Sequence, residues 1–221
     1  MSERVRTSES AVLLYWLPLG AGGRSVRWNG RMFEAVVARH EHRAVHDLYH
    51  SALEVRLGEN RWVVEMTPVW ADKQPYRGVV LEGPVGARWL GRSAVFRYEI
   101  RRWADGVIPD VEAAVASPRA VSRDPDAARR LLALVPQVPA LTWGRDEMGT
   151  GEMWNSNSLT AWLLAGSGHD LAVVEPPTGG RAPGWSAGLA LAVHPGAQTR
   201  DCARSAATVR ALVRAEAGDG H

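Results

Sequence analysis

Four small polar residues, Asn155-Ser156-Asn157-Ser158, abut the apolar run Leu159-Thr160-Ala161-Trp162-Leu163-Leu164. Ser and Asn cap helix starts because their side-chain oxygens accept bonds from backbone N–H groups that have no partner inside the helix. The junction predicts a helix over 156–165, stopped by Gly166 and Gly168. It also admits a second reading. A hydroxyl there lies at the positive end of the helix dipole, where developing negative charge is favoured. Ser156 is either part of an ordinary cap or a nucleophile, and Ser158 is an alternative, since cap register is uncertain by a residue or two.

The rest of the chain reads as strands followed by helices. Val12 to Leu17 predicts a buried strand. Arg4, Arg6 and the glycines after Leu19 give this region a likeness to an export leader. Glu3, Glu9, the shortness of the run and Pro18 favour the strand. Asn29, with Met32, Phe33, Val36 and Val37 at helical spacing, predicts a helix. His50 to Leu57 and Arg61 to Val69 alternate around Gly58-Glu59-Asn60 and predict a hairpin, with Glu65 on its returning arm. Gly78 to Gly91 reads as loop, Ala94 to Trp103 as a strand, and Pro109 to Ala116 as a short helix. Asp124-Pro125-Asp126 opens a helix that turns Ala128, Leu131, Leu132 and Val135 inward. Pro176 to Trp185 reads as loop, Leu189 to Val193 as a last strand and Arg200 to Glu216 as a terminal helix. The expectation is a single α+β domain over 1–221, a small antiparallel sheet packed against helices.

Charge and cysteine content narrow the function. The net charge is only +2, Lys73 is the one lysine, and no basic block with interleaved aromatics occurs, so a nucleic-acid partner is not expected. Cys202 stands alone, which rules out an intrachain disulfide and a cysteine-based zinc site and fits a reducing cytoplasm. No apolar stretch is long enough to span a bilayer. His46 and His50 have the four-residue spacing of helical metal ligands, but the intervening residues lack the His-Glu-x-x-His pattern. Together with His40 and His42 they read as a surface cluster without metal, and no cofactor is expected. Of the ten tryptophans, most read as packing. Trp154, beside the polar run, is a candidate groove wall.

Two segments resemble the circularly permuted papain-like hydrolases, the NlpC/P60 and lecithin-retinol-acyltransferase-like superfamily. One is Leu48-Tyr49-His50-Ser51-Ala52-Leu53-Glu54-Val55, followed by a glycine turn and the strand bearing Glu65. The other is Asn155-Ser156-Asn157-Ser158 opening a helix, similar to the Asn-Cys-Asn motif that carries the family nucleophile. The order, histidine first and nucleophile later, also matches. The stretch 153–164 resembles an uncharacterised actinobacterial family as well. The resemblance covers a candidate core over 48–165 and departs at one point: Ser156 stands where the family has cysteine.

The resemblance implies His50 as general base, Glu65 as its orienting carboxylate and Ser156 as nucleophile, acting on an amide or ester of a small-molecule, peptide or acyl substrate. An alcohol needs an adjacent base. The helix dipole supplies roughly 0.3–1 kcal/mol, too little to activate a hydroxyl. The serine therefore leaves a second expectation open, a catalytically inactive member used as a binding module. Read from the residues alone, His50 can equally be a core histidine. Glu65, if it faces inward, needs a partner such as an arginine or His50.

Overall fold

The computed structural model describes residues 10–19, 47–69, 76–172 and 174–193. β1 (Ala11–Pro18) is central rather than peripheral: it pairs antiparallel with β2 (Asp47–Leu57) on one side and with β6 (Val115–Ser122) on the other. Because successive residues of a strand point to opposite faces, β1 feeds two layers. Val12, Leu14 and Trp16 join the main core. Leu13, Tyr15 and Leu17 join a second cluster with Ala52, Val63 and Ile108.

The described residues form a seven-stranded sheet ordered β4-β5-β3-β2-β1-β6, with β3 at Asn60–Pro68, β4 at Val79–Pro84 and β5 at Arg97–Ala104. A two-residue strand, β7 (Gly180–Arg181), adds parallel to the start of β2. The β2–β3 hairpin turns where Gly58 takes a φ of 61°, a conformation glycine adopts without steric cost.

Three helices cover the main-core face: α1 (Pro125–Leu134), α2 (Ser156–Gly166) and α3 (Trp185–Val193). α1 starts as its sequence dictates, with the Asp124 carboxylate accepting from the backbone N–H groups of Asp126 and Ala127. Its Ala128, Leu131 and Leu132 pack beneath the sheet, as expected. α2 is buried on all sides, its first nine residues being inaccessible. It docks on β2 and against α3, where a side chain on Gly188 would meet the Ser158 carbonyl at 2.1 Å. Each large apolar side chain buried here contributes roughly 1.5–3 kcal/mol, and Trp16, Trp154, Trp162, Leu159 and Leu163 are all fully buried.

The α+β expectation holds, and five local ones do not; one is the 176–185 loop, which contains β7. The segment 78–91 contains β4 and a 3-10 turn at Arg88–Arg92 rather than loop alone. The strand expected from Ala94 begins only at Arg97, after a 3-10 turn at Ala94–Phe96. The helix expected from Pro109 shrinks to the turn Val111–Ala113 before β6, a largely exposed edge strand. Leu189 to Val193 belongs to α3 rather than to a strand. Its apolar run is too short for periodicity to tell helix from strand. No described helix is long and apolar enough to cross a membrane. The Asn29 helix, the Gly20 to Gly23 loop, His40, His42, His46, Cys202 and the 200–216 helix lie outside the described residues.

Candidate functional site

The polar run folds as a capping box. Asn155 is the cap: its Oδ1 accepts from the backbone N–H of Asn157 (2.9 Å) and of Ser158 (3.2 Å). Ser158 returns the favour through Oγ, which accepts from the Asn155 N–H at 3.1 Å. Three side-chain groups of the run also reach across to the loop before α3. Asn155 Nδ2 and Asn157 Nδ2 each donate to the Pro183 carbonyl at 2.9 Å, and Ser158 Oγ donates to the Gly184 carbonyl at 2.7 Å. Gly184 has a φ of 91°, and any side chain on it would strike the Asn155 carboxamide at 2.4 Å. The 176–185 loop is thus pinned over the start of α2 by the same residues that cap it.

Two distant segments do converge. Asn157 Nδ2 also donates to the Tyr49 carbonyl (2.9 Å), and the Ser51 and Thr160 hydroxyls bond at 2.9 Å. The start of β2 and the first turns of α2 are therefore in direct contact, over more than a hundred residues of intervening chain. This is the encounter on which a nucleophile–base pair would depend.

The pair itself is not formed. Ser51 faces α2, so the alternation of β2 carries His50 to the opposite face, where its register partner is Leu17. The His50 Nε2 atom is buried and has no hydrogen-bond partner. Burial lowers the His50 pKa to about 4, with the nearby Asp110 carboxylate opposing the shift. At neutral pH the ring is uncharged and a feeble proton acceptor. Ser156, at the first helical position, is buried and makes no hydrogen bond to His50. Of the backbone N–H groups near Ser156 and Asn157 that could stabilise an oxyanion at the helix start, that of Asn157 is taken by the Asn155 cap.

Glu65 is buried, as an inward-facing residue must be, but its partner is an arginine. Arg101 Nη1 lies 3.2 Å from Glu65 Oε1, across the β3–β5 ladder in which the two residues face each other. Arg101 also pairs with Glu99, and Arg77 clamps Glu99 with two bonds of 2.6 and 2.9 Å. Glu65 therefore belongs to a buried chain of alternating charges and does not orient His50. A carboxylate in that setting is satisfied by its ion pair rather than held ready for chemistry. Trp154 is likewise core, 1% exposed, and does not wall a groove.

Among the described residues no group of three His, Cys, Asp or Glu side chains is arranged to hold a metal. Open concavities lie elsewhere. One, of about 630 Å³, opens between β1, β2 and β6 and the 175–178 loop, with Trp16, Tyr49 and Arg119 in its wall. Another, of about 640 Å³, is bounded by Trp89, Arg88 and Glu147. Neither was visible in the sequence, because the first depends on β6 and the second on the turn at Arg88–Arg92. Comparison of the chain with protein-family models, with curated proteins and with solved structures finds no match.

Proposed function

We propose that this chain is a catalytically silent module of the permuted papain-like kind, which binds a small-molecule or peptide ligand instead of cleaving one. The observation that carries the reading is the occupied cap: the Asn157 N–H, the natural oxyanion donor beside Ser156, is committed to Asn155 Oδ1 at 2.9 Å. The uncharged His50 ring, whose Nε2 has no hydrogen-bond partner, and the Glu65–Arg101 pair support it, since neither bonds to the Ser156 hydroxyl. A reducing, cytoplasmic setting without a nucleic-acid partner completes the proposal.

The direct contact of Asn157 with Tyr49 favours one rival, a serine-dependent amidase, esterase or acyltransferase that assembles Ser156 and His50 only around substrate. A single experiment separates the two. Wild type, Ser156→Ala and Ser156→Cys are exposed to fluorophosphonate and iodoacetamide probes and to p-nitrophenyl esters. Silence predicts that wild-type labelling and ester turnover equal those of Ser156→Ala. Fluorophosphonate labelling of the wild type that Ser156→Ala abolishes overturns the proposal.

A further inference from the structure

The connection from β4 to β5 builds one wall of the cleft beside Trp89. Two backbone bonds hold its start: the Gly86 N–H donates to the Trp143 carbonyl at 2.8 Å, and the Trp143 N–H to the Pro84 carbonyl at 2.9 Å. The 3-10 turn at Arg88–Arg92 then sets Trp89 in the wall. Trp89 is 72% exposed, the one exposed tryptophan among the described residues. The other wall is the 142–147 segment, and it is braced from within. The Glu147 carboxylate accepts from the Thr142 N–H at 3.0 Å and from Arg88 Nη2 at 3.3 Å. The Asp146 carboxylate accepts from the N–H groups of Thr150 and Gly151 at 3.0 and 2.8 Å. A rim fixed by such bonds gives up little freedom when a ligand arrives.

The cleft of about 640 Å³ falls within the range of small-ligand sites. Its wall carries Arg88 and Arg145 together with Asp146 and Glu147, two charges of each sign, so an ion of either sign gains no net attraction. What the wall offers is hydrogen-bonding capacity of both kinds. A carboxylate has about four acceptor positions and a guanidinium five N–H donors. The internal bonds leave acceptor positions on Asp146 and Glu147, and Arg145 is exposed, with no side-chain partner among the described residues. The one large apolar group in the wall is the Trp89 indole.

We propose that this cleft binds a neutral pyranose sugar. The C–H face of a pyranose is apolar and weakly electropositive, which suits the negative face of an aromatic ring. The hydroxyls around its edge both donate and accept. One such ring therefore covers Trp89 while its hydroxyls donate to Asp146 and accept from Arg145. A flat aromatic ligand would cover the indole but take water from the charged groups without replacing its hydrogen bonds, which is unfavourable. A charged ligand would meet a like charge beside its partner. The assignment extends the binding-module reading above to a ligand class without resting on Ser156.

Saturation-transfer NMR on the full chain tests the assignment. The probes are the methyl glycosides of glucose, galactose, mannose and N-acetylglucosamine, with sorbitol and benzoate as controls. At least one glycoside should bind saturably with a Kd of about 1–10 mM, the strength expected of so small a ligand, and neither control should bind. Trp89→Ala should weaken that binding about tenfold or more. Trp89→Phe should weaken it less, because a ring face remains. Arg145→Ala should cost about three- to tenfold. Both side chains are exposed, so neither change threatens the fold. No saturable binding of any glycoside up to about 100 mM overturns the assignment. So does equal binding of a control, or a glycoside bound equally by wild type and Trp89→Ala. Labelling of Ser156 by fluorophosphonate would sink the silent reading and leave the sugar titrations as they stand.

Discussion

The side-chain amide of Asn157 donates to the carbonyl of Tyr49 across 2.9 Å, and the same nitrogen donates to Pro183 at 2.9 Å. One buried NH2 group thereby ties together the start of α2, the start of β2 and the loop that precedes α3. The Pro183 carbonyl also accepts from Asn155 Nδ2 at 2.9 Å, so the loss of Asn157 falls mainly on the Tyr49 carbonyl, and a buried acceptor left without a donor costs roughly 1–3 kcal/mol.

Substitution at Asn157 should therefore weaken three elements at once. Asn157→Ala is expected to lose about 2–3 kcal/mol, from the orphaned Tyr49 carbonyl, the lost second bond to Pro183 and a small void. Asn157→Asp should be worse, because a carboxylate would replace the donor and confront both carbonyl oxygens. Urea denaturation ranks the three proteins. If the Asp variant equals wild type, the amide nitrogen is not the bridging atom.

Gly184 offers a sharper steric test. Its φ of 91° disfavours any side chain, and an added Cβ would lie 2.4 Å from the Asn155 Oδ1 that caps α2. Gly184→Ala should strain the backbone and displace the cap together, a loss of about 2 kcal/mol or more. Removing the cap alone by Asn155→Ala should cost about 1 kcal/mol from the helix, plus the bond to Pro183. With the cap gone, the added methyl has less to strike. The double variant should be less destabilised than the sum of the singles, measured by thermal melts of all four proteins.

His50 makes stability depend on pH in a defined direction. Its folded pKa, about 4, lies below the ordinary histidine value of 6.5. Above pH 6.5 both folded and unfolded chains carry the neutral ring, and His50 adds no slope. Between 6.5 and about 4 the unfolded chain takes up a proton that the folded one refuses, so stability falls as the solution is acidified. The full difference corresponds to at most about 3 kcal/mol. His50→Leu should match wild type within about 1 kcal/mol at pH 8 and surpass it at pH 4.5. Chemical denaturation at the two pH values checks this. Parallel losses in the two proteins would mean that the ring is solvated.

The parts of this architecture that local chemistry governs were legible before any coordinates. Asp124 and Pro125 start α1 as their side chains require, Asn155 caps α2, and Gly58 turns the β2–β3 hairpin. Elements defined by distant neighbours were not. β6 contains Pro118 and Arg119 and is mostly exposed, so its pattern looks like loop; only pairing with β1 makes it a strand. α3 is a short apolar run whose close approach to the Ser158 carbonyl at Gly188 depends on the position of α2. At the site, the meeting of β2 with α2 followed from reading chemistry off two motifs. The fate of each polar group did not. Glu65 required a partner on any reading, but that Arg101 rather than His50 supplies it depends on the β3–β5 register, in which Glu65 faces Arg101.

That register yields the last prediction. Arg101 is 1% exposed and stands between Glu65 and Glu99, themselves buried. Removing the cation takes from Glu65 its buried ion pair and leaves Glu99 with Arg77. Breaking a buried ion pair from one side typically costs 3–5 kcal/mol, whereas replacing both partners by apolar groups is far cheaper. Arg101→Met should therefore be destabilised by about 3–5 kcal/mol, and the Glu65→Leu/Arg101→Met pair by less than Arg101→Met alone. The loss of that buried pair also sets a pH signature. Protonation of a carboxylate that has lost its Arg101 partner lessens the cost of its charge, so the deficit of Arg101→Met relative to wild type should shrink from pH 8 to pH 5. Urea titrations of the three proteins at both values read it directly. A deficit that is the same at pH 5 and pH 8, and no smaller in the double variant, would show that Arg101 acts through packing and not through its charge.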